Sequence, residues 1–252
     1  MDELKERREF LKSTLWAKRR DVQTDQKKGL PQPLPEKPYD EEIELINLVS
    51  PENFTVGDMP LREVISRRRS RRKFTDEPLT LEELSFLLWS TQGVREIFEG
   101  RVTFRTVPSA GARHPFETYL AIHKVEGLKS GLYRYLPLEH ALIFLREIED
   151  MAKKLIDASF HQRFVGECAV TFIWTAIPYR TEWRYAFTSH KVIAIDVGHV
   201  CQNLYLAAES IGGGTCAVAA YHQEKMDAFL GVDGEDEFTI YVAPVGKIPS
   251  SE

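Results

Sequence analysis

Cysteine is scarce in this chain, and its scarcity excludes two classes of protein. Only Cys168, Cys201 and Cys216 occur among 252 residues. They are odd in number and form no CxxC pair, so neither a disulfide framework nor a clustered zinc site is expected. The histidines add no HExxH-type spacing, and no metal is predicted.

Long hydrophobic runs are also missing. No stretch of about 18 apolar residues is available to span a membrane. The opening residues, MDELKERREF, are too charged for a secretory signal peptide. Together with the few cysteines, these absences favour a cytoplasmic protein that has no membrane partner.

An excess of positive charge is absent from the chain as a whole. Acidic residues number 38 and basic residues 33, for a formal net charge of −5. Proteins that bind nucleic acid usually carry a broad positively charged surface. Because this chain lacks such an excess of positive charge, no nucleic-acid partner is expected. Against this background, the stretch RRRSRRKF (67–74) concentrates six cations in eight residues. The run is either a solvated basic surface or a local site for a small phosphate, whose oxygens guanidinium groups match with paired donors.

Nucleotide-binding fingerprints are lacking as well. Gly212, Gly213 and Gly214 stand between a helix and a strand, but they do not form GxGxxG and do not follow a strand. There is no Walker A loop. A dedicated dinucleotide-binding domain is therefore excluded, and any nicotinamide nucleotide would be a passing substrate.

The sequence pattern predicts an arm of residues 1–55 followed by a folded domain of residues 56–252. The arm combines a charged helix with prolines at 31, 33, 35 and 38, which favour an extended path. It could be a flexible linker or a strap laid across a partner subunit. In the domain, Asp58 is a candidate N-cap, and Thr80 with Glu83 has capping-box spacing for a helix that ends at Gly93.

A second helix, predicted over 195–211, has an apolar stripe so wide that a central or inter-subunit layer is expected. His199 shares one face of this helix with Asp196 and Asn203, which predicts a buried polar network at a subunit interface. Strands are predicted at 119–125, 132–138, 169–177 and in the two late segments TCAVAAY and FTIYVAPVG. A loop of small residues, Pro108 to Ala112, precedes the first of these strands; it is either a plain turn or a surface for a flat ring.

Seven stretches in register resemble one known family. RRSxRxF, LTLEELSFLLWSTQGV, RTVPSAGARHPFETYLAI, GLYRYLPLEHAL, IDVGHVCQNLYLAAESIGGGTCAV, FLGVDGEDEF and PVGK follow, in order, the pattern of the SagB-type dehydrogenases. These belong to the FMN-dependent nitroreductase superfamily, and the resemblance runs from about Leu61 to Lys247. It implies an α+β, nitroreductase-like fold with a central mixed, mainly antiparallel β-sheet flanked by helices, in an intertwined homodimer whose active sites lie at the subunit interface.

The resemblance also implies where the cofactor, FMN, is bound. The arginine motif would hold the phosphate and the polar edge of the ring, the PSAG loop would come from the other subunit, and the glycine-rich turn would face the ring. The implied cofactor-binding residues are Arg68, Arg69, Ser70, Arg72, Pro108, Ser109, Ala110, Gly111, Gly213, Gly214, Ala217 and Lys247.

Two departures from the family pattern lie near the implied substrate pocket. Peptide-azoline oxidases carry a Lys-Tyr pair for proton removal, whereas this chain has Arg184 and Tyr185. Arginine stays protonated and cannot be a base, although Tyr185 could donate a proton. Arg113 and His114 also stand where the family more often has an apolar residue and tyrosine.

These observations leave three functions open. The main hypothesis is hydride transfer through FMN between NAD(P)H or an organic substrate and an electron acceptor. The alternatives are a thiazoline or oxazoline peptide dehydrogenase and a non-enzymatic module that binds anions or nucleic acid.

Overall fold

The computed structural model describes residues 2–99 and 101–249. Its helices are α1 (Asp2–Glu9), α2 (Thr14–Lys18), α3 (Leu61–Arg67), α4 (Leu81–Gln92), α5 (Met151–Ala158), α6 (Arg163–Gly166), α7 (Tyr179–Tyr185), α8 (Ser189–Ser210) and α9 (Gln223–Leu230). Its strands are β1 (Leu45–Asn47), β2 (Val94–Phe98), β3 (Val102–Arg105), β4 (Phe116–Ile122), β5 (Gly131–Leu136), β6 (Ala141–Arg146), β7 (Val170–Ala176), β8 (Gly213–Thr215) and β9 (Phe238–Lys247).

Seven strands form the central sheet in the order β1-β6-β5-β4-β7-β9-β8, while β2 and β3 form a separate hairpin. Neighbouring strands of the sheet pair antiparallel. Parallel pairing occurs in the described residues as isolated bridges, one of which joins Ser70 to Thr215 beside the edge strand β8. The predicted α+β class and mainly antiparallel sheet are therefore confirmed.

Helices cover both faces of the sheet. Side chains alternate across each strand, so Phe172 and Trp174 of β7 join one core cluster with residues of α4 and α8. Ile173 points the other way and joins a second cluster with residues of α5 and α9. Because both faces are covered, β7 is buried along its whole length. This burial on both faces explains why residues 169–177 are almost continuously apolar.

Helices α4 and α8 follow the expectation from sequence. Thr80 and Glu83 form the predicted capping box at the start of α4, and the helix ends at Gly93. Helix α8 begins earlier than predicted, at Ser189, and extends over 22 residues to Ser210. It packs against α4 and crosses the domain, so residues at its two ends reach different parts of the molecule.

The proline-rich segment is bound to its own domain and is not a free linker. Its backbone carbonyls accept hydrogen bonds from the side chains of Trp183 (to Leu30, 3.0 Å) and Arg105 (to Pro35, 2.9 Å). We call residues 26–44 the strap. Because buried side chains bind its backbone, the strap is fixed on its own domain. Further along, β1 pairs with β6 of the sheet. The division of the chain after residue 55 stays a prediction.

Charged side chains hold the middle of the strap. The backbone N–H of Lys37 donates to Glu117, 2.9 Å away, and its ammonium pairs with Glu237 at 2.6 Å. Glu117 is buried and also accepts from the buried Arg180 at 2.5 Å. Buried charges are costly unless paired, so these contacts fix the path of the strap.

Three local expectations were wrong. Pro60, not Asp58, occupies the N-cap position of α3. In TCAVAAY, β8 ends at Thr215, and Val218 forms only an isolated bridge to Val242. The charged N-terminal helix is broken into α1 and α2, and its expected contact residues Leu4 and Leu11 are more than 60% exposed.

The buried carboxyl of Glu36 predicts a pH dependence of stability. Burial raises its pKa to about 8. Because this folded-state pKa lies above the unfolded value of about 4.3, the folded state binds the proton more tightly. The resulting stabilisation is present at low pH and is lost as the pH rises to about 8.

We expect the melting temperature of the wild type to fall more steeply than that of Glu36→Gln between about pH 5 and pH 8.5. Thermal unfolding followed by circular dichroism measures both slopes. Parallel slopes would show that Glu36 does not titrate in this range.

Candidate active site

The predicted arginine motif lies beside the C-terminal half of α8. The guanidinium of Arg68 lies over the ring of Tyr205, 5.3 Å from its centroid, and the hydroxyl of Ser70 lies 3.0 Å from the Tyr205 hydroxyl. Arg69 is exposed. Among the described residues, no carboxylate forms an ion pair with Arg68 or Arg69. We call Arg68, Arg69 and Ser70 the arginine cluster.

Tyr205 links the arginine cluster to the residues after β8. Its hydroxyl accepts a hydrogen bond of 2.8 Å from the backbone N–H of Ala217. Next to this contact, Thr215 is 1% exposed and its hydroxyl has no hydrogen-bond partner within the described ranges. Buried hydroxyls normally bind a partner, so Thr215 has donor and acceptor capacity left for a ligand.

Two predicted phosphate-binding side chains point elsewhere. Arg72 lies over Phe164, at 5.8 Å, away from Tyr205. The ammonium of Lys247 binds Glu83 and the backbone carbonyl of Ile211. Both would have to change rotamer to join the arginine cluster at one phosphate.

The glycine-rich turn packs against the backbone that carries the arginine motif. Gly213 and Gly214 are buried in β8. A Cβ on Gly214 would lie 2.6 Å from Cγ of Arg71, and Arg71 donates its backbone N–H to Thr215. At Gly214 the absence of a side chain thus lets the strand-like segment 70–71 approach the sheet edge.

The PSAG loop lies at the other end of α8. The carboxylate of Asp196 accepts from the hydroxyl of Ser109 (2.7 Å) and from the backbone N–H of Ala110 (2.9 Å). Ser109 in turn accepts from the backbone N–H of His114. Pro108 is exposed. Burial raises the pKa of Asp196, and burial, with the charge of Arg105 next, lowers the pKa of His114 to about 2.

Gly111 brings the loop against the predicted catalytic pair. Its φ of +61° is a left-handed conformation, and a Cβ there would lie 2.7 Å from the Tyr185 hydroxyl and 2.9 Å from Nε of Arg184. The structure therefore places Gly111, Arg184 and Tyr185 in one cluster. Arg19 adds a contact that the sequence did not predict, with its guanidinium 4.9 Å from the centre of the Tyr185 ring.

Within one chain, the three members of the polar network predicted on α8 have separate contacts, and the network at a subunit interface stays a prediction. Asp196 holds the PSAG loop, Asn203 donates to the carbonyl of Ser90 at 2.8 Å, and His199 is exposed. One signal in the sequence points to the role of Asp196, which is an acidic residue on the buried side of an apolar helix. No such signal marks Tyr205.

Comparison with known protein families identifies the family of this chain. The model of the Nitroreductase family matches residues 65–247, which include the arginine cluster, the PSAG loop and β8. The chain belongs to the nitroreductase family. Its fold is therefore nitroreductase-like, and it is an oxidoreductase of that superfamily.

In two relatives, the match covers nearly the whole length of the related protein. The Methanocaldococcus jannaschii protein named "Putative nitroreductase MJ1384" is 33% identical over 192 residues, which cover 76% of this chain and 93% of that protein. A crystal structure of a nitroreductase described in the same way, from Ralstonia eutropha JMP134, has a TM-score of 0.68 at 26% identity. That match covers 88% of this chain and 95% of the solved one.

A third relative has a more specific name. The trifolitoxin-processing protein TfxB of Rhizobium leguminosarum bv. trifolii is 30% identical over 133 residues. The match covers 51% of this chain but only 36% of TfxB, so it concerns part of that protein.

The residues of this nitroreductase-family chain fit the phosphate of FMN. Arg68 and Arg69 offer guanidinium donors that no carboxylate of the described chain occupies, and Ser70 and Thr215 offer hydroxyls. A dianionic phosphate accepts several such charge-assisted bonds. Residues 2–99 and 101–249 contain no cluster of three or more His, Cys, Asp or Glu that could hold a metal ion, and no helix in them is long and apolar enough to cross a bilayer.

Proposed function

We propose that the protein is an FMN-dependent oxidoreductase of the SagB-type branch, acting in the cytoplasm on NAD(P)H or an organic substrate and an electron acceptor. When bound, FMN supplies hydride transfer through its N5 atom. The observation that carries the proposal is the pair of unpaired guanidinium groups, Arg68 and Arg69, beside the orphaned hydroxyl of Thr215. All three lie within the family match.

In this proposal the arginine cluster binds the phosphate. Arg72 and Lys247 are further donors that reach it after leaving Phe164 and Glu83. The backbone of Gly213, Gly214 and Ala217 would contact the flavin ring. The loop Pro108, Ser109, Ala110 and Gly111 would contact it from the partner subunit.

The geometry of α8 supports this division between subunits. Asp196, which holds the PSAG loop, and Tyr205, which contacts the arginine cluster, are nine residues apart, about 13 Å at 1.5 Å per residue. Between them α8 exposes Gly198, His199 and Gln202. A Cβ on Gly198 would meet no atom within 4 Å. This face is thus open for a close helix contact.

Two-fold packing of α8 on its copy would complete the site. In an antiparallel pair centred near residues 200 and 201, the Asp196 end of one helix lies beside the Tyr205 end of the other. Each PSAG loop then faces the partner's arginine cluster. We therefore propose a homodimer with two such sites.

Arg184 and Tyr185 are the proposed catalytic pair. Both lie against Gly111 of the PSAG loop, and two cations lie near the phenol ring, since Arg19 and Arg184 are 4.9 and 5.8 Å from its centre. The phenol of Tyr185 can hold or donate a proton, whereas Arg184 supplies fixed positive charge.

Anaerobic titration with NADH and with NADPH tests the reductive half of this function. We expect the flavin absorption band at about 450 nm to disappear when one equivalent of the nucleotide per flavin has been added. A protein that binds FMN but keeps its band with both nucleotides would show that neither is the reductant.

The similarity to TfxB favours a second candidate, a dehydrogenase of thiazoline or oxazoline peptides that acts with a modification partner. Arg184 counts against it, because an arginine cannot remove the proton. A mass decrease of about 2 Da in a thiazoline peptide incubated with the enzyme, as two hydrogens leave, would establish this function.

A further inference from the structure

A cavity of about 720 Å³ lies beside the PSAG loop, outside the arginine cluster. The strap contributes Gln26 and Gln32 to its wall, the β2–β3 hairpin contributes Phe104, and α7 contributes Arg184. A cavity of this size accommodates a small organic molecule. The strap is therefore part of a pocket that shares Pro108, Ser109 and Gly111 of the PSAG loop with the proposed flavin site.

The charges that line this cavity have one sign. Its lining includes Arg95, Arg105, Arg113 and Arg184 but no aspartate or glutamate. Arg105 uses its donors on Gln92, Thr103 and the strap carbonyl of Pro35, and Arg95 donates Nε to the carbonyl of Arg105. Arg113 and Arg184 are the two cations of the lining that lie at Gly111 of the PSAG loop.

Arg113 is a buried cation without a counter-ion. It is only 7% exposed, and none of the ion pairs of the described residues includes it. Its contacts are the carbonyls of Gly111 and Ala112, at 3.2 and 3.4 Å, and the ring of Trp183, at 5.4 Å. Burying a guanidinium with so few partners is costly, which points to a missing anion. Burial, and then the charge of Arg184, lowers the pKa of Arg113.

The two guanidinium groups converge on the same glycine. Nε of Arg113 donates to the Gly111 carbonyl at 3.2 Å, while Nε of Arg184 lies 2.9 Å from the position of a Cβ on Gly111. The positive charge of Arg184 acts on Arg113, and an anion bound between the two groups would relieve their repulsion. Glu182, two residues before Arg184 on α7, binds His190 at 2.8 Å and forms no ion pair with either arginine in the described chain.

We propose that this cavity binds the carboxylate group of an organic acid, held by Arg113 and Arg184, and that the substrates of the enzyme are therefore carboxylates. The planar fork of a guanidinium matches a carboxylate with two parallel hydrogen bonds. The assignment of the bound acid as substrate rests on the proposed function, because only the flavin makes the cavity part of an active site. Binding of the acid itself does not depend on the flavin.

A matched pair of probes tests the binding. Calorimetric titration of the purified protein with 4-nitrobenzoate and with its neutral analogue 4-nitrobenzamide compares one carboxylate with one amide of the same shape. We expect the wild type to bind the benzoate about tenfold more tightly or better, as for charge-assisted hydrogen bonds. Arg113→Gln and Arg184→Gln should each abolish most of that preference, and Lys153→Gln, on the exposed side of α5, should keep it.

Equal affinity of the wild type for both probes would overturn the proposal, and so would a preference retained by both arginine variants. Because Arg113 is buried, its variant is first checked by circular dichroism; Arg184, which is half-buried, provides the independent test. Tighter binding of inorganic phosphate than of benzoate would also contradict a carboxylate site, provided that the phosphate binding is lost in Arg184→Gln and kept when Arg68 and Arg69 are replaced.

Measurements of turnover and of flavin binding distinguish the anion site from the flavoenzyme activity. With NADPH or NADH as reductant, kcat/KM for 4-nitrobenzoate should exceed that for 4-nitrobenzamide in the wild type, and the ratio should fall towards one in Arg184→Gln. A protein that binds benzoate but no flavin would refute the flavoenzyme and retain the anion site. A protein that binds flavin and treats both probes alike would refute the anion site alone.

Discussion

Replacing both Arg68 and Arg69 with glutamine is expected to weaken FMN binding about 100-fold or more, while riboflavin binding changes little. Each charge-assisted hydrogen bond to a phosphate contributes about 1.5–3 kcal/mol, so two lost bonds correspond to at least this factor. Riboflavin has the same ring and no phosphate. The ratio of the two dissociation constants, measured by quenching of flavin fluorescence, therefore isolates the phosphate contact.

The exposed Lys153 provides the control, since Lys153→Gln removes one charge on the far face of the sheet. It should keep the wild-type ratio of FMN to riboflavin affinity. If the Arg68 and Arg69 double variant kept that ratio too, the arginine cluster would not be the phosphate site.

Mixing two defective chains is expected to restore about one quarter of the flavin sites. One chain carries Arg68→Gln and Arg69→Gln, and the other carries Pro108→Glu, which puts a carboxylate on an exposed residue of the PSAG loop. If each site takes its arginine cluster from one subunit and its loop from the other, every mixed two-fold dimer has one site without either change and one with both. Statistical pairing makes half of the dimers mixed.

The measurement is the FMN content of co-expressed chains that carry different affinity tags. Purification through both tags isolates the mixed dimers, in which about half of the sites should be filled. Each variant expressed alone is the control and should contain little flavin. No recovery in the mixed dimers would show that one subunit supplies both parts of the site.

Sequence patterns predicted those helices and strands whose limits are set by interactions between residues close in the chain. The capping box at Thr80 and Glu83 specifies the start of α4 through two hydrogen bonds within four residues. The apolar run 169–177 identifies a strand covered on both faces, and β7 occupies 170–176. The arginine motif and the PSAG loop could be located because short motifs in a fixed order identify a family even when each motif alone is weak.

The remaining features depend on contacts between distant segments. The course of the strap is decided by Trp183, Arg105 and Glu117, which lie 70 or more residues from the carbonyls and N–H groups they bind. Proline content predicts only that the segment is extended. The same holds for Asp196, whose partner Ser109 is 87 residues away along the chain. No periodicity within one helix reveals such a partner.

The cavity beside the PSAG loop illustrates the same limit. Arg113 and Arg184 were recognisable as departures from the family pattern, but their common position at Gly111 follows from the left-handed turn there and from the approach of α7. A single arginine in sequence is usually a solvated surface charge. Two arginines that lie at one glycine and have no carboxylate partner in the described chain indicate a ligand.

An absorption spectrum of the purified protein between about 300 and 550 nm, with mass identification of the chromophore released on denaturation, tests the central claim most directly. The account predicts a two-banded yellow spectrum and the release of FMN, because the cofactor is held without a covalent bond. A colourless protein that also fails to take up added FMN would contradict it.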